Sequence, residues 1–136
     1  MGATNQPASR PLAPDGMMPP FARYSHGVEV AAGARLVFCS GQLGIRADGF
    51  VPGDAGEQAA LCFENIAAIL REAGMALEHV IRVNAYVTDR AFLAPYMRVR
   101  DGLFAEPFPA STLMIVSGFA RPEFKVEVEA VAAASA

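Results

Sequence analysis

Apolar and polar positions along this chain change period several times, and each change marks an element. The segment HGVEVAAGARLVFCSGQ alternates Val28 and Val30 around Glu29, turns at Ala32-Gly33 and resumes as the β-rich run Leu36 to Cys39, which predicts a β-hairpin. LGIRADGFVPGDAG then carries Gly44, Gly49, Pro52, Gly53 and Gly56, turn chemistry without a core period, and reads as a surface loop. A helix follows, with Asp54 placed as its N-cap and Glu57 completing a capping box. Cys62, Ile66, Ile69, Leu70 and Ala73 recur in it at helical spacing, and Gly74 offers the left-handed residue that ends such helices. HVIRVNAYVTD alternates Ile81, Val83, Ala85 and Val87 against Arg82, Asn84, Tyr86 and Thr88, a strand with one apolar and one mixed face. Phe92, Tyr96, Val99 and Leu103 step by four, three and four in a second amphipathic helix, whose opening turn tolerates Pro95. The strand STLMIVSG, a turn through Pro122 and the strand KVEVEAVA, with Val126, Val128 and Ala130 opposing Glu127 and Glu129, close the chain.

The predicted order is β-β-α-β-α-β-β, an α+β fold in which two helices cover one face of a single mixed sheet. The first twenty residues hold Pro7, Pro11, Pro14, Pro19 and Pro20 and have no periodicity, so residues 1–20 are expected to be a flexible, proline-rich arm and residues 21–136 a single domain. Two helices leave the second sheet face uncovered, so that face is expected to be hidden by another subunit or to be more polar than its strands suggest.

Composition sharpens this picture. Apolar residues make up 53% of the 136 and charged ones 18%, more hydrophobic surface than one small core uses, which points to burial between subunits. No apolar run approaches the ~20 residues of a membrane span, and the first residues lack a signal-peptide pattern, so the expectation is a cytoplasmic protein with no membrane partner. Net charge is −3, ten arginines are scattered and Lys125 is the only lysine, so no basic face is available for nucleic acid. Cys39 and Cys62 fall within a predicted strand and helix at no metal or redox spacing and read as buried free thiols.

No phosphate loop, dinucleotide fingerprint, zinc motif or nucleophile elbow occurs. What remains is a set of polar residues at strand ends: Arg23-Tyr24-Ser25-His26 before the first strand, Ser40-Gly41-Gln42 after the second, Ser111-Thr112 opening the fourth, and Glu127 in the fifth. Singly, each has an ordinary structural explanation, as does His79 in a helix-to-strand connector.

Taken in order, however, the segments RYSHGVEV, LVFCSGQLG, ENIAAILREAGMALEHVIRVNAYVTD, FPAST and FKVEVEAVA resemble the RidA/YjgF family of reactive-intermediate deaminases from about Tyr24 to Ala132. The resemblance implies a chorismate-mutase-like fold assembled as a homotrimer, with a cleft at each subunit boundary. It also implies hydrolysis of enamines and imines such as 2-aminoacrylate to 2-oxo acids and ammonia, with no metal or cofactor. Carried over by position, Tyr24 is the cleft tyrosine and Ser40 the serine of S-G-Q. Glu127 is the acid linked to the attacking water, and Leu113 contributes a backbone group that faces the substrate.

One position departs from the pattern. After F-P-A the active deaminases carry an arginine that grips the substrate carboxylate, and here that position is Ser111. Ordinary 2-aminoacrylate deamination is therefore expected to be weak or absent. Arg23, next to Tyr24, is a candidate replacement cation, set against its reading as a solvated surface charge. Two functions are carried forward: a small-molecule hydrolase of imines, enamines or related labile metabolites, and a non-catalytic trimer that binds a metabolite or a protein. Ribonuclease activity, attached to some relatives by name, is opposed by the acidic balance.

Overall fold

The computed structural model describes residues 7–136; residues 1–6, part of the expected arm, lie outside it. The elements are β1 (Ser9–Leu12), β2 (Gly27–Val30), β3 (Arg35–Leu43), α1 (Ala55–Glu72), β4 (Val80–Val87), α2 (Leu93–Leu103), β5 (Ala110–Ile115) and β6 (Val126–Ala134), with short 3-10 turns at Leu77–His79 and Arg90–Phe92. The fold is α+β, with two helices against a mixed sheet of order β3-β6-β4-β5 in which only the β4–β5 pair is parallel.

The expected hairpin forms differently. The chain does turn at Gly33, whose positive φ of 80° suits a residue without a Cβ, but β2 and β3 belong to separate sheets. The partner of β2 is β1, drawn from the proline-rich arm: Ser9 lies opposite Val30 and Leu12 opposite Gly27, and Arg10 pairs with Glu29 at 2.8 Å. Pro11 is accommodated because a two-stranded sheet is all edge, where a residue without an N–H is tolerated. The described part of residues 1–20 thus holds a strand, which proline content alone did not predict.

Helix α1 starts as its capping residues dictate, the Asp54 carboxylate accepting from Glu57 N at 2.9 Å, and it ends before Gly74 at φ 70°. It buries Cys62, Phe63, Ile66 and Leu70 against the sheet residues Val83, Ala85, Val87, Val126 and Val128. Phe63 joins the two helices, its ring 6.0 Å from that of Tyr96 and 5.6 Å from that of Phe104. Each such ring removes on the order of 150 Å² or more from water, so this cluster is a principal source of stability.

Two local expectations are corrected. An irregularity in the β4–β6 register between Val80 and Arg82 turns Val80 inward in place of Ile81, which stays half-buried. On α2 the buried residues are Tyr96 and Arg100, whereas Leu103 is exposed. Lys125 donates from Nζ to the Gly53 carbonyl and lies 5.3 Å from the Phe92 ring centre. Cys39 and Cys62 are buried free thiols, and burial pushes Cys62 up to about 12, so it stays protonated at neutral pH. No helix among the described residues is long and apolar enough to cross a membrane.

Candidate active site

Strand alternation divides the sheet residues between two faces. The helix side takes Val83, Ala85, Val87, Val126, Val128 and Ala130, all buried. The uncovered side takes Arg82, Asn84 and Tyr86 of β4, Glu127 and Glu129 of β6, and Leu36 and Phe38 of β3. It carries exposed apolar side chains beside these polar ones, with Phe38 73%, Leu36 48% and Met114 51% exposed.

Glu127 lies opposite Tyr86 on one side and Leu43 on the other. Next to it the β3 register shifts between Cys39 and Gln42, so Ser40 and Gly41 form a bulge. The Glu127 carboxylate rests against Gly41, where an added Cβ would overlap Oε1; the glycine of S-G-Q is a steric vacancy that the acid fills. Ser40 is exposed at the rim, its carbonyl accepting from Gln42 Nε2 at 3.1 Å. Burial, and then the nearby Glu129 charge, hold the Glu127 carboxyl above its ordinary value.

The other sequence-derived candidates gather elsewhere. Ser25 bridges to Ala110 in parallel, its N–H donating to the Pro109 carbonyl at 3.0 Å and its hydroxyl to that of Phe108 at 2.6 Å. This fastens the Arg23–His26 segment to the start of β5. Tyr24 packs edge-on against His26, with ring centres 6.1 Å apart, and its hydroxyl accepts from Phe21 N at 3.4 Å. His26 Nε2 donates to the Met18 carbonyl at 2.7 Å. Tyr24, Ser25 and His26 line a cavity of about 500 Å³ whose opposite walls are Leu12 of β1 and Phe108. Arg23 points to the end of α2, where Nη1 reaches the Asp101 carbonyl at 3.4 Å.

Ser111 pairs in register with Val83 and Leu113 with Ala85, so both side chains belong to the helix side of β5, and Leu113 packs against the core. From the pairing, Ser111 and Glu127 are separated by two strand spacings and about three residues along the strands, roughly 14 Å, and they occupy opposite faces. The candidates therefore form two groups in one chain: Glu127 with Ser40 and Gly41, and Tyr24 with Arg23 near Ser111.

Tyr86, Asn84 and Glu129 were not singled out from the sequence. The Tyr86 hydroxyl donates to Glu129 Oε1 at 2.8 Å and Asn84 Nδ2 to the same oxygen at 3.1 Å. The V-E-V-E alternation does place both glutamates on one face, which is the signal that could have found the group. His79, set aside as a connector residue, accepts from Ala76 N through Nδ1 at 2.9 Å, a local structural role.

Residues 16–134 match the family model described as Endoribonuclease L-PSP. RutC family protein y4sK of Sinorhizobium fredii is 37% identical over 128 residues, 93% of this chain and 95% of its own. TdcF of Escherichia coli, provisionally named a reactive intermediate deaminase, is 31% identical over 117 residues, 83% of this chain and 88% of its own. Among solved structures, YyfB of Yersinia pestis, a protein of unknown function in the conserved Rid family, superposes with a TM-score of 0.81 at 30% identity, covering 92% of this chain and 98% of that one. TdcF of E. coli with bound serine gives 0.69 at 30% identity, covering 85% and 91%. With a family model over most of its length and relatives of this similarity over nearly all of it, the chain belongs to the RidA/YjgF family.

Proposed function

We propose that this protein is a homotrimeric, cytoplasmic hydrolase of reactive imines and enamines that are not anchored through an α-carboxylate, working in clefts at subunit boundaries. The observation that carries this reading is the setting of Glu127: half-buried on an uncovered face, seated against Gly41, and held more basic than an ordinary carboxylate. In the proposed reaction Glu127 takes a proton from water as the water oxygen bonds to the imine carbon. It passes that proton to nitrogen to give a carbinolamine, then takes the carbinolamine hydroxyl proton and delivers it to nitrogen as the carbon–nitrogen bond breaks and the carbonyl forms, leaving a carbonyl compound and ammonia. An enamine enters the same course after protonation at carbon gives the imine. No metal or cofactor takes part in this scheme.

The split between the two residue groups supports a boundary cleft, because Glu127 meets a Tyr24 and a Ser111 side only if they come from another copy. The exposed Leu36, Phe38 and Met114 support burial of that face in the trimer. The relative TdcF, solved with serine bound, supports a small-molecule ligand. Ser111 supports the exclusion of small 2-imino acids: a guanidinium contributes about 1.5–3 kcal/mol per charge-assisted hydrogen bond, and a serine has neither its charge nor its fork. Arg23 reaches toward the Asp101 carbonyl at 3.4 Å, which does not favour it as a substitute. The dispersed basic residues and net charge of −3 do not favour an RNA substrate, despite the name of the family model.

The test is ammonia release from a panel of freshly generated imines and enamines, with and without an α-carboxylate. Carboxylate-free imines should turn over, and Glu127→Gln should lower the rate on the order of 100-fold. Ser111→Arg should gain activity on 2-aminoacrylate. Vigorous 2-aminoacrylate hydrolysis by the unaltered protein would refute the role given to Ser111. If nothing on the panel turns over and ligand binding is indifferent to Glu127→Gln, the second reading, a non-catalytic trimer that binds a metabolite or a protein, replaces the first.

A further inference from the structure

Two carboxylates on one strand face, two residues apart, would be expected to share whatever donors lie nearby. Here they do not. Tyr86 is the β4 residue directly opposite Glu127, yet its hydroxyl runs diagonally to Glu129 Oε1 at 2.8 Å. Asn84, directly opposite Glu129, gives its Nδ2 to that same oxygen at 3.1 Å. Among the described residues Glu127 receives no hydrogen bond, and its carboxylate lies against the bare backbone of Gly41. At strand spacing the two acids stand about 7 Å apart, well inside the distance at which one charge is felt by the other in a partly desolvated site.

We infer that Glu129 is a positioning residue for Glu127: clamped by the Tyr86 hydroxyl and the Asn84 amide, it is a fixed negative charge that takes up the donors of this face and leaves Glu127 free as the proton acceptor. This rests on the hydrolase reading above and assigns a division of labour within it. Pairs of titratable groups whose surroundings push them apart are the usual way a site obtains two different roles from one chemical group.

Burial is the first cause of the raised Glu127 value, and beside Glu129 few other charges face this carboxylate. From β3 the bulge at Ser40 and Gly41, with Leu43, brings no charge. From β4 the ionisable groups on this face are Tyr86 and Arg82, and Arg82 is turned to the Thr112 hydroxyl at 2.9 Å. On the far side of the sheet α1 brings Cys62, which remains a neutral thiol. The directions agree: burial and then Glu129 raise Glu127, while the hydrogen bond to Glu129 is the first cause raising Tyr86, as expected if Glu129 is the ionised member.

The deciding experiment is a carbon-13 carboxyl NMR titration of the full chain, resolving Glu127 in the unaltered protein, Glu129→Gln and Glu129→Asp, alongside pH–rate profiles on the best imine substrate. Glu129→Gln keeps the size of the side chain and an acceptor for Tyr86 but removes the charge. It should lower the Glu127 midpoint, with the acid limb of the rate profile moving down equally. Glu129→Asp keeps the charge and should keep the raised midpoint, which a purely structural role would not predict. A Glu127 midpoint unmoved by Glu129→Gln, with hydrolysis intact, overturns the role of Glu129 and leaves the hydrolase reading standing. A midpoint that moves while no imine is hydrolysed overturns the hydrolase reading, and the assignment of Glu129 falls with it.

Discussion

Gln58 ties α1 to the loop at Pro52 and to the Glu123–Lys125 stretch before β6, and replacing its amide should cost the fold heavily. The side chain is fully buried in α1, where Nε2 donates to the Pro52 carbonyl at 2.8 Å and the Glu123 carbonyl at 2.9 Å while Oε1 accepts from Lys125 N at 2.8 Å. Gly44 packs so closely that a Cβ there would come within 2.5 Å of the Gln58 Cβ, so the amide has little room to find other partners. Gln58→Met keeps the length and volume of the side chain, avoids a cavity and orphans all three backbone groups. One bond is fully buried, at about 1–3 kcal/mol when broken, and two are partly buried, at about 0.5–1.5 kcal/mol each, so the loss should be about 2–6 kcal/mol. Urea unfolding at fixed protein concentration, which removes any contribution of the proposed trimer to apparent stability, should show a lower midpoint with an unchanged slope. A loss below about 1 kcal/mol would mean that water replaces the amide at all three points and would refute the reasoning. Because Lys125 immediately precedes β6, the same variant should also disorder the entry to Glu127.

Two further outcomes follow from groups the fold leaves in unusual settings. The Tyr96 hydroxyl is buried without a partner among the described residues, so Tyr96→Phe should stabilise the protein by about 1 kcal/mol in the same urea assay; a comparable loss would mean the hydroxyl has a partner after all. Glu127 binds its proton more tightly folded than unfolded, so its contribution to stability is complete below the ordinary value of 4.5 and is lost as pH rises through the raised folded value. Urea midpoints measured from about pH 4 to 7 should therefore decline less, over this window, in Glu127→Gln than in the unaltered protein.

How far a sequence can be read depends on which relation a feature needs. Side-chain alternation needs only the next few residues, so the faces of β4 and β6 and the capped ends of α1 were legible. Pairing needs a distant partner: nothing in Gly27–Val30 says that Ser9–Leu12 will lie beside it, and a proline-rich stretch argues against it. Gln58 and Arg100 were invisible for a related reason, since a polar letter within an amphipathic helix reads as solvent-facing until the groups that satisfy it are known.

The candidate site shows the same division. Family motifs identified Tyr24, Ser40, Ser111, Leu113 and Glu127, and alternation identified the face of Glu129. Only the register shows that β4 stands between Ser111 and Glu127 and that the two point to opposite sides of the sheet. In the proposed trimer a substitution at Ser111 would change what a neighbouring copy's Glu127 meets and leave the acid's own surroundings intact. A serine at the start of β5 is therefore compatible with a carboxylate seated against Gly41 and set apart from Glu129. On that proposal substrate choice and proton transfer would be carried by separate walls, and one could change while the other is kept.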